Sequence, residues 1–366
     1  MRTAPLILLA AGGTGGHLFP AEALGAELQA RGCRVRLVTD ARALRYSGLF
    51  TSDMIDVVPS ETVRSRSPLS LAKTVATLAA GTVRALALMR REKPAAVVGF
   101  GGYPTLPPLW AARLAGIPTI IHDANAVMGR ANRQLSGGAN AIATSFPDVL
   151  VGQPALAAKA TLTGNPVRPA ISAAAAPFSA PRGDGPLRLL VFGGSQGARV
   201  MADIVPGAIE RLEPALWDNL EITQQVRDED MARVRAVYDA LKIKADLAPF
   251  FTDLPVRMAA SHLVVSRSGA GTVAELAVLG RPAILVPLPG ALDQDQYANA
   301  GVLEQAGGAI RIVQDEFTPD RLAAEISALA AEPAQLSAMA EAARAIGRPD
   351  AAHRLADLVI ATAKLV

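Results

Sequence analysis

At 366 residues, 51% apolar and 19% charged, the chain is longer than one hydrophobic core usually organises and too apolar to stay disordered, so two globular domains are expected. A formal charge of +3, four histidines and 4% aromatics leave neither the field nor the base-stacking platforms of a nucleic-acid-binding protein. A single cysteine, Cys33, excludes an intramolecular disulfide framework and a cysteine-held metal, and fits a reducing compartment.

The start, MRTAPLILLAAGGTGGH, has an apolar run too short for a signal peptide and reads as a buried first strand over 6–10. Further apolar runs bounded by Gly, Pro or Asp follow at 35–39, 95–98, 119–121 and 141–144, separated by helical stretches. That alternation predicts a mostly parallel sheet. Lys73 and Arg84 interrupt the most apolar segment, 71–89, so no membrane-spanning helix is expected.

The rhythm lapses at SAAAAPFSAPRGDGP, 172–186, whose Ala, Pro and Gly content reads as a linker. A second series then runs through 187–192, 220–223, 263–266, 283–286 and 310–313. The expected organisation is a first domain over 1–165, a linker over 166–186 and a second domain over 187–345. The tail, 346–366, carries Leu355, Leu358 and Val359 at helical spacing and is expected to close onto the first domain as a helix.

Each series opens with a strand running into glycines, Gly12-Gly13-Thr14-Gly15-Gly16 and Gly193-Gly194-Ser195-Gln196-Gly197. A strand, glycine loop and helix start gather backbone N–H groups and the positive helix end at one place, which suits phosphate. The first loop is neither a dinucleotide fingerprint nor a P-loop, although Asp40 could imitate a ribose-binding acid, which keeps a nicotinamide enzyme as an alternative. Gly101-Gly102-Tyr103 follows another buried strand, and His122-Asp123-Ala124-Asn125 another. Three units thus deliver His17, Tyr103, His122 and Asn125 to one sheet edge. In the second half Ser268-Gly269-Ala270-Gly271-Thr272 precedes a helix and can neutralise a diphosphate. Glu275, one turn further on, can accept two ribose hydroxyls.

Together with Gly164-Asn165-Pro166-Val167-Arg168 and Arg267-Ser268-Gly269-Ala270-Gly271-Thr272-Val273-Ala274-Glu275, these motifs resemble the MurG family of UDP-N-acetylglucosamine transferases of peptidoglycan synthesis, and the likeness runs through most of the chain. The resemblance implies two Rossmann-like parallel-sheet domains facing across a cleft, the GT-B type. It implies an inverting transfer of N-acetylglucosamine to the C4 hydroxyl of undecaprenyl-pyrophosphoryl-N-acetylmuramoyl-pentapeptide, on the cytoplasmic face of the plasma membrane beside other cell-wall synthesis proteins. It places His17 and Asn125 near the reacting hydroxyl and Gly101, Gly102, Tyr103, His122 and Asn132 on the acceptor side. On the donor side stand Thr14, Gly15, Gly16, Asn125, Arg168, Ser195, Phe251 (backbone to uracil), Ala270, Gly271, Thr272, Glu275 and Gln296.

Such a transfer needs a base and positive potential on the leaving diphosphate, but no nucleophilic residue. His17 is the candidate base, or a donor to the diphosphate. Asp293-Gln294-Asp295 and Asp228-Glu229-Asp230 imitate metal-binding acids, yet the second reads as a solvated helix face, so no metal or other cofactor is expected. Asp295 stands where the family carries glutamine, Asp123-Ala124 where it carries Glu-Gln, and Thr223-Gln224-Gln225 where it carries histidine. Between 61 and 93 seven basic residues (Arg64, Arg66, Lys73, Arg84, Arg90, Arg91, Lys93) face two acids, with Leu69, Leu71, Val75, Leu78, Val83, Leu86 and Met89 near helical spacing. That pattern predicts a peripheral patch for anionic membrane. A UDP-N-acetylglucosamine 2-epimerase and a non-catalytic UDP-sugar-binding module are the alternatives.

Overall fold

The computed structural model describes residues 4–12, 14–41, 48–61, 67–182, 185–194, 197–290 and 293–365. The chain divides into two compact units, Met1–Arg168 with Arg348–Val366, and Pro169–Gly347.

The first unit runs β1 (Leu6–Ala10), α1 (Gly15–Ala30), β2 (Arg34–Thr39), β3 (Ile55–Val57), α2 (Pro68–Glu92), β4 (Ala96–Gly99), α3 (Leu106–Leu114), β5 (Thr119–Asp123), α4 (Arg130–Ser136), β6 (Ala141–Thr144), α5 (Pro154–Ala157) and β7 (Ala160–Leu162). Its seven strands are parallel in the order β3-β2-β1-β4-β5-β6-β7. Parallel strands covered on both faces must be apolar throughout, and all five residues of β1 are buried.

The second unit runs α6 (Pro169–Ala174), β8 (Leu187–Phe192), α7 (Arg199–Ile209), α8 (Pro214–Trp217), β9 (Leu220–Gln225), α9 (Asp228–Ala240), β10 (Lys244–Ala248), α10 (Leu254–Ala260), β11 (Leu263–Ser266), α11 (Ala270–Leu279), β12 (Ala283–Leu285), α12 (Asp295–Gln305), β13 (Ala309–Arg311), α13 (Pro319–Ala331) and α14 (Pro333–Ile346). Its six strands are parallel in the order β10-β9-β8-β11-β12-β13. The last helix, α15 (Ala351–Thr362), returns to the first unit and packs on α1 and against β4, β5 and β6. Leu355, Ala356 and Val359 enter that core, and Arg31, just after α1, holds the outer side through Asp357 at 2.6 Å while pairing with Glu27 of α1 at 2.8 Å.

Two expectations change. The stretch 166–186 is not all linker: 169–174 forms α6, which buries Ile171 completely and packs on α10 and α11. Its apolar content is one turn long, too short to show a period in the sequence. Lys73 and Arg84 also fail to divide 71–89. A single 25-residue helix, α2, runs through them and is long and apolar enough, by length and composition, to cross a membrane. Both side chains are exposed, so the helix carries them without burying charge. Ser67 caps α2, accepting from the Ser70 N–H at 3.3 Å, with Pro68 in the first turn where its missing N–H is harmless.

Candidate active site

Sheet order in the first unit reverses between β1 and β4, and the loops leaving those strands are the glycine clusters. Such a reversal opens a crevice at the carboxyl ends, where ligands of open α/β sheets bind. His17, in the first turn of α1, is seated there half-buried, its Nδ1 3.0 Å from Thr14 Oγ1. A Cβ at Gly12 would stand 3.2 Å from that nitrogen, one at Gly101 3.3 Å from Cδ2, and one at Gly102 3.5 Å from Cε1. Gly101 and Gly102 also hold φ of +92° and +78°, so backbone and ring both require glycine there. Tyr103 follows, half-buried at the same rim, in a turn fixed by the Thr105 hydroxyl donating to Gly102 O at 2.7 Å. Gly15 is buried at the helix start and Gly16 exposed beside it, while Gly13 lies outside the described residues.

His122 and Asn132, expected to face an acceptor, are placed beneath the rim. His122 is fully buried, with Nε2 3.2 Å from Gly164 O and 3.4 Å from Ser145 Oγ. Asn132 is 3% exposed and donates to His122 O at 2.9 Å and Asp123 Oδ2 at 3.0 Å. Asp123 in turn accepts the N–H of Asn125 at 3.1 Å and of Gly129 at 3.0 Å. These groups shape the loop that presents half-buried Asn125. The sequence gives the polar cluster but not its depth, because β5 runs two residues further than its apolar run.

Burial holds the His122 imidazole down to about 4. A base depressed in the fold is protonated first in the unfolded chain, so this contribution is complete above the ordinary value near 6.5 and is lost as pH falls towards about 4. About 3 kcal/mol of folding free energy is at stake over that window. Urea unfolding from pH 7 to 4.5 is expected to fall more steeply in the native chain than in His122→Gln; equal slopes would mean that the imidazole is not buried neutral.

The second unit repeats the arrangement. Its order reverses between β8 and β11, bringing Gly193-Gly194 and Arg267–Thr272 to one edge. Gly269 precedes α11 in extended conformation with no side-chain cap, so Ala270, Gly271 and Thr272 present amides with no partner inside the helix. A Cβ at Gly269 or Gly271 would meet nothing within 4 Å, so the approach is open to an anion. Glu275 lies in the next turn, 7% exposed. Phe251, 8% exposed, follows β10 with the Arg257 guanidinium 4.3 Å from its ring centre. Ser195 lies outside the described residues.

Two residues beyond those expected build this edge. Arg267, held below its ordinary value by burial, donates to Val286 O at 3.1 Å, Pro287 O at 3.0 Å and Gln314 Oε1 at 2.5 Å, fixing the loop after β12. Gln225, at the end of β9, joins two loops. The departure from histidine at 223–225 was the only sequence signal for the latter. Gln296 accepts the Leu288 N–H at 3.1 Å through Oε1. Asp295 accepts the Gln296 N–H at 2.9 Å, a helix-start role that glutamine would fill less well, having no charge for the dipole.

Arg168 belongs to the first unit, its guanidinium 4.9 Å from the ring centre of Phe19 on α1. The resemblance had put it with the donor groups. Asp230 is paired with Arg227 and Arg233, each at 2.9 Å, and among the described residues no group of three or more His, Cys, Asp or Glu is arranged to hold a metal.

Residues 7–144 match the glycosyltransferase family 28 N-terminal domain and 188–355 its C-terminal domain. The chain is 76% identical over 364 residues, 99% of each chain, to a UDP-N-acetylglucosamine–N-acetylmuramyl-(pentapeptide) pyrophosphoryl-undecaprenol N-acetylglucosamine transferase of Bradyrhizobium sp. strain BTAi1. It is 74% identical over 366 residues to the protein of the same name from Nitrobacter hamburgensis, covering 100% of this chain and 99% of that one. The crystal structure of Acinetobacter baumannii MurG superposes with a TM-score of 0.77 at 30% identity, over 97% of this chain and 99% of that one. A Neisseria meningitidis UDP-GlcNAc 2-epimerase shares the fold alone, at 14% identity and a TM-score of 0.67 over 97% of this chain and 100% of that one.

Proposed function

Because this chain belongs to glycosyltransferase family 28, we infer that its two units divide the work of one sugar transfer. It is an N-acetylglucosaminyltransferase acting on UDP-N-acetylglucosamine and N-acetylmuramyl-(pentapeptide) pyrophosphoryl-undecaprenol. The donor reading is carried by one observation, the uncapped start of α11 with Glu275 one turn on. Amides there and in the Gly193-Gly194 loop meet the diphosphate, Glu275 takes the ribose hydroxyls and the Phe251 backbone takes uracil. Thr14, Gly15, Gly16 and Arg168, which the resemblance counts among the donor groups, lie on the first unit.

In the step itself the muramoyl C4 hydroxyl oxygen bonds to the sugar C1, the C1–O bond to UDP breaks with inversion, and the proton passes to His17 Nε2. The tautomer that donates Nδ1–H to Thr14 leaves the lone pair on that nitrogen. Charge on the departing UDP is offset by α11, so no divalent metal is required. UDP release is expected only when the lipid-linked muramoyl acceptor is supplied, at a rate unchanged by EDTA. Release without acceptor would favour epimerase chemistry, and loss to EDTA restored by Mg²⁺ would overturn metal independence.

We further propose that α2 docks the enzyme on the cytoplasmic face of the plasma membrane. Leu69, Val75 and Val83 are 83%, 59% and 70% exposed on it, with Ala72, Ala76, Ala79 and Ala80 continuing the stripe. Exposed Lys73, Arg84, Arg90, Arg91 and Lys93 flank it, while Arg64 and Arg66 lie outside the described residues. An amphipathic face of this kind lies in a headgroup plane, drawn by anionic lipid. Binding to phosphatidylglycerol vesicles is expected to weaken about tenfold between 0.1 and 1 M salt, and similarly in Val75→Asp/Val83→Asp. Binding indifferent to both changes would count against the face.

A further inference from the structure

We propose that Gln225 is a positioning residue that makes the diphosphate and nucleobase loops of the second unit act as one site, an inference that rests on the donor reading above. β9 lies between β8 and β10, so its final residue has the exits of both neighbours beside it. The regular pairing stops there, with Ala248 of β10 opposite Gln225. Beyond that point the side-chain amide carries the ladder on. Its Oε1 accepts the Gly193 N–H at 3.0 Å, and its Nε2 donates to Pro249 O at 3.1 Å.

Both partners are backbone groups of fixed polarity, which settles the orientation of the amide. A primary amide at this length is a peptide mimic, with one acceptor on one side and one donor on the other. Gln225 is 9% exposed, so water does not readily replace either bond. Gly193 opens the loop that runs to α7, and Pro249 stands two residues before Phe251. A nucleoside diphosphate that engages both loops needs them in register, whereas a nucleoside alone engages only the second. Glutamate would keep the acceptor but set an oxygen against Pro249 O, asparagine is too short to reach both neighbours, and methionine keeps the volume without either bond.

The test is titration of UDP and of uridine into the native chain, Gln225→Met and Gln225→Asn, with thermal unfolding of each. UDP affinity is expected to fall about tenfold in both variants, as for two lost hydrogen bonds, and uridine affinity less than threefold. KM for the UDP-sugar should rise with kcat within about threefold. A residue that merely supports folding would lower the active fraction and leave KM unchanged, which would overturn the proposal. So would an equal loss for UDP and uridine, or UDP affinity within twofold of native. If the native chain binds no UDP, the donor reading itself fails. Should the methionine variant not fold, the asparagine variant, which keeps an amide in the polar pocket, carries the same expectation.

Discussion

Replacing His17 with alanine is expected to lower kcat by about 10²- to 10⁴-fold, the usual contribution of a positioned base, with UDP-N-acetylglucosamine affinity within about threefold of native. The asymmetry follows from placement. The ring stands on the first unit, walled by Gly12, Gly101 and Gly102 and oriented by Thr14 at 3.0 Å. On the donor reading, the ribose and uracil fall to Glu275 and Phe251, which stand on the second. The donor reading assigns no group of that cage to the nucleotide base or ribose, whereas three glycines leave a space that one imidazole fills. Turnover of His17→Ala close to native, in single-turnover assays with acceptor in excess, would remove the residue from the chemistry. A matching loss of donor affinity would recast it as a diphosphate donor.

Gly193→Ala is expected to weaken UDP binding about 100-fold. A Cβ there would lie 2.1 Å from Ala198 N, 2.5 Å from Ala198 Cβ and 2.5 Å from Gly197 C. Those neighbours are mostly backbone, which cannot turn aside as a flexible side chain would. Gly193 must therefore separate from Gly197 and Ala198, at about 1–3 kcal/mol of stability. If the loop surrenders two charge-assisted bonds to phosphate at about 1.5 kcal/mol each, the 100-fold loss follows. Gly137→Ala is the control: its added carbon meets nothing within 4 Å, on a backbone already in the ordinary helical region. Native UDP affinity in Gly193→Ala would show that the loop does not hold the diphosphate.

The comparison of sequence with structure turns on which elements are apolar enough to announce themselves. The strands over 6–10, 141–144, 187–192 and 263–266 are found at those bounds, because central parallel strands are buried on both faces and read as unbroken apolar runs. β3, β7 and β10 went unread. Each lies at a sheet edge and is partly exposed, and β10 spends Lys244 and Asp246 on solvent. The amphipathic stretch over 61–93 was legible as a pattern, yet which of its residues face outward was not. Leu88 and Met89 are buried and Leu69, Val75 and Val83 exposed, a choice made by packing against α3.

By itself the sequence determined two parallel α/β units, their opening glycine loops, the phosphate-ready start of α11 and a closing helix. Those follow from periodicity, from glycine's freedom and from the dipole of a helix, all of which act over a few neighbouring residues. Tertiary structure alone decided that His122 and Asn132 lie under the rim, that Arg168 rests on Phe19, and that Gln225 spans two loops. Each depends on elements that only the packed chain brings together. Depth and side-chain partnership are set by what packs on top, and no local pattern records that.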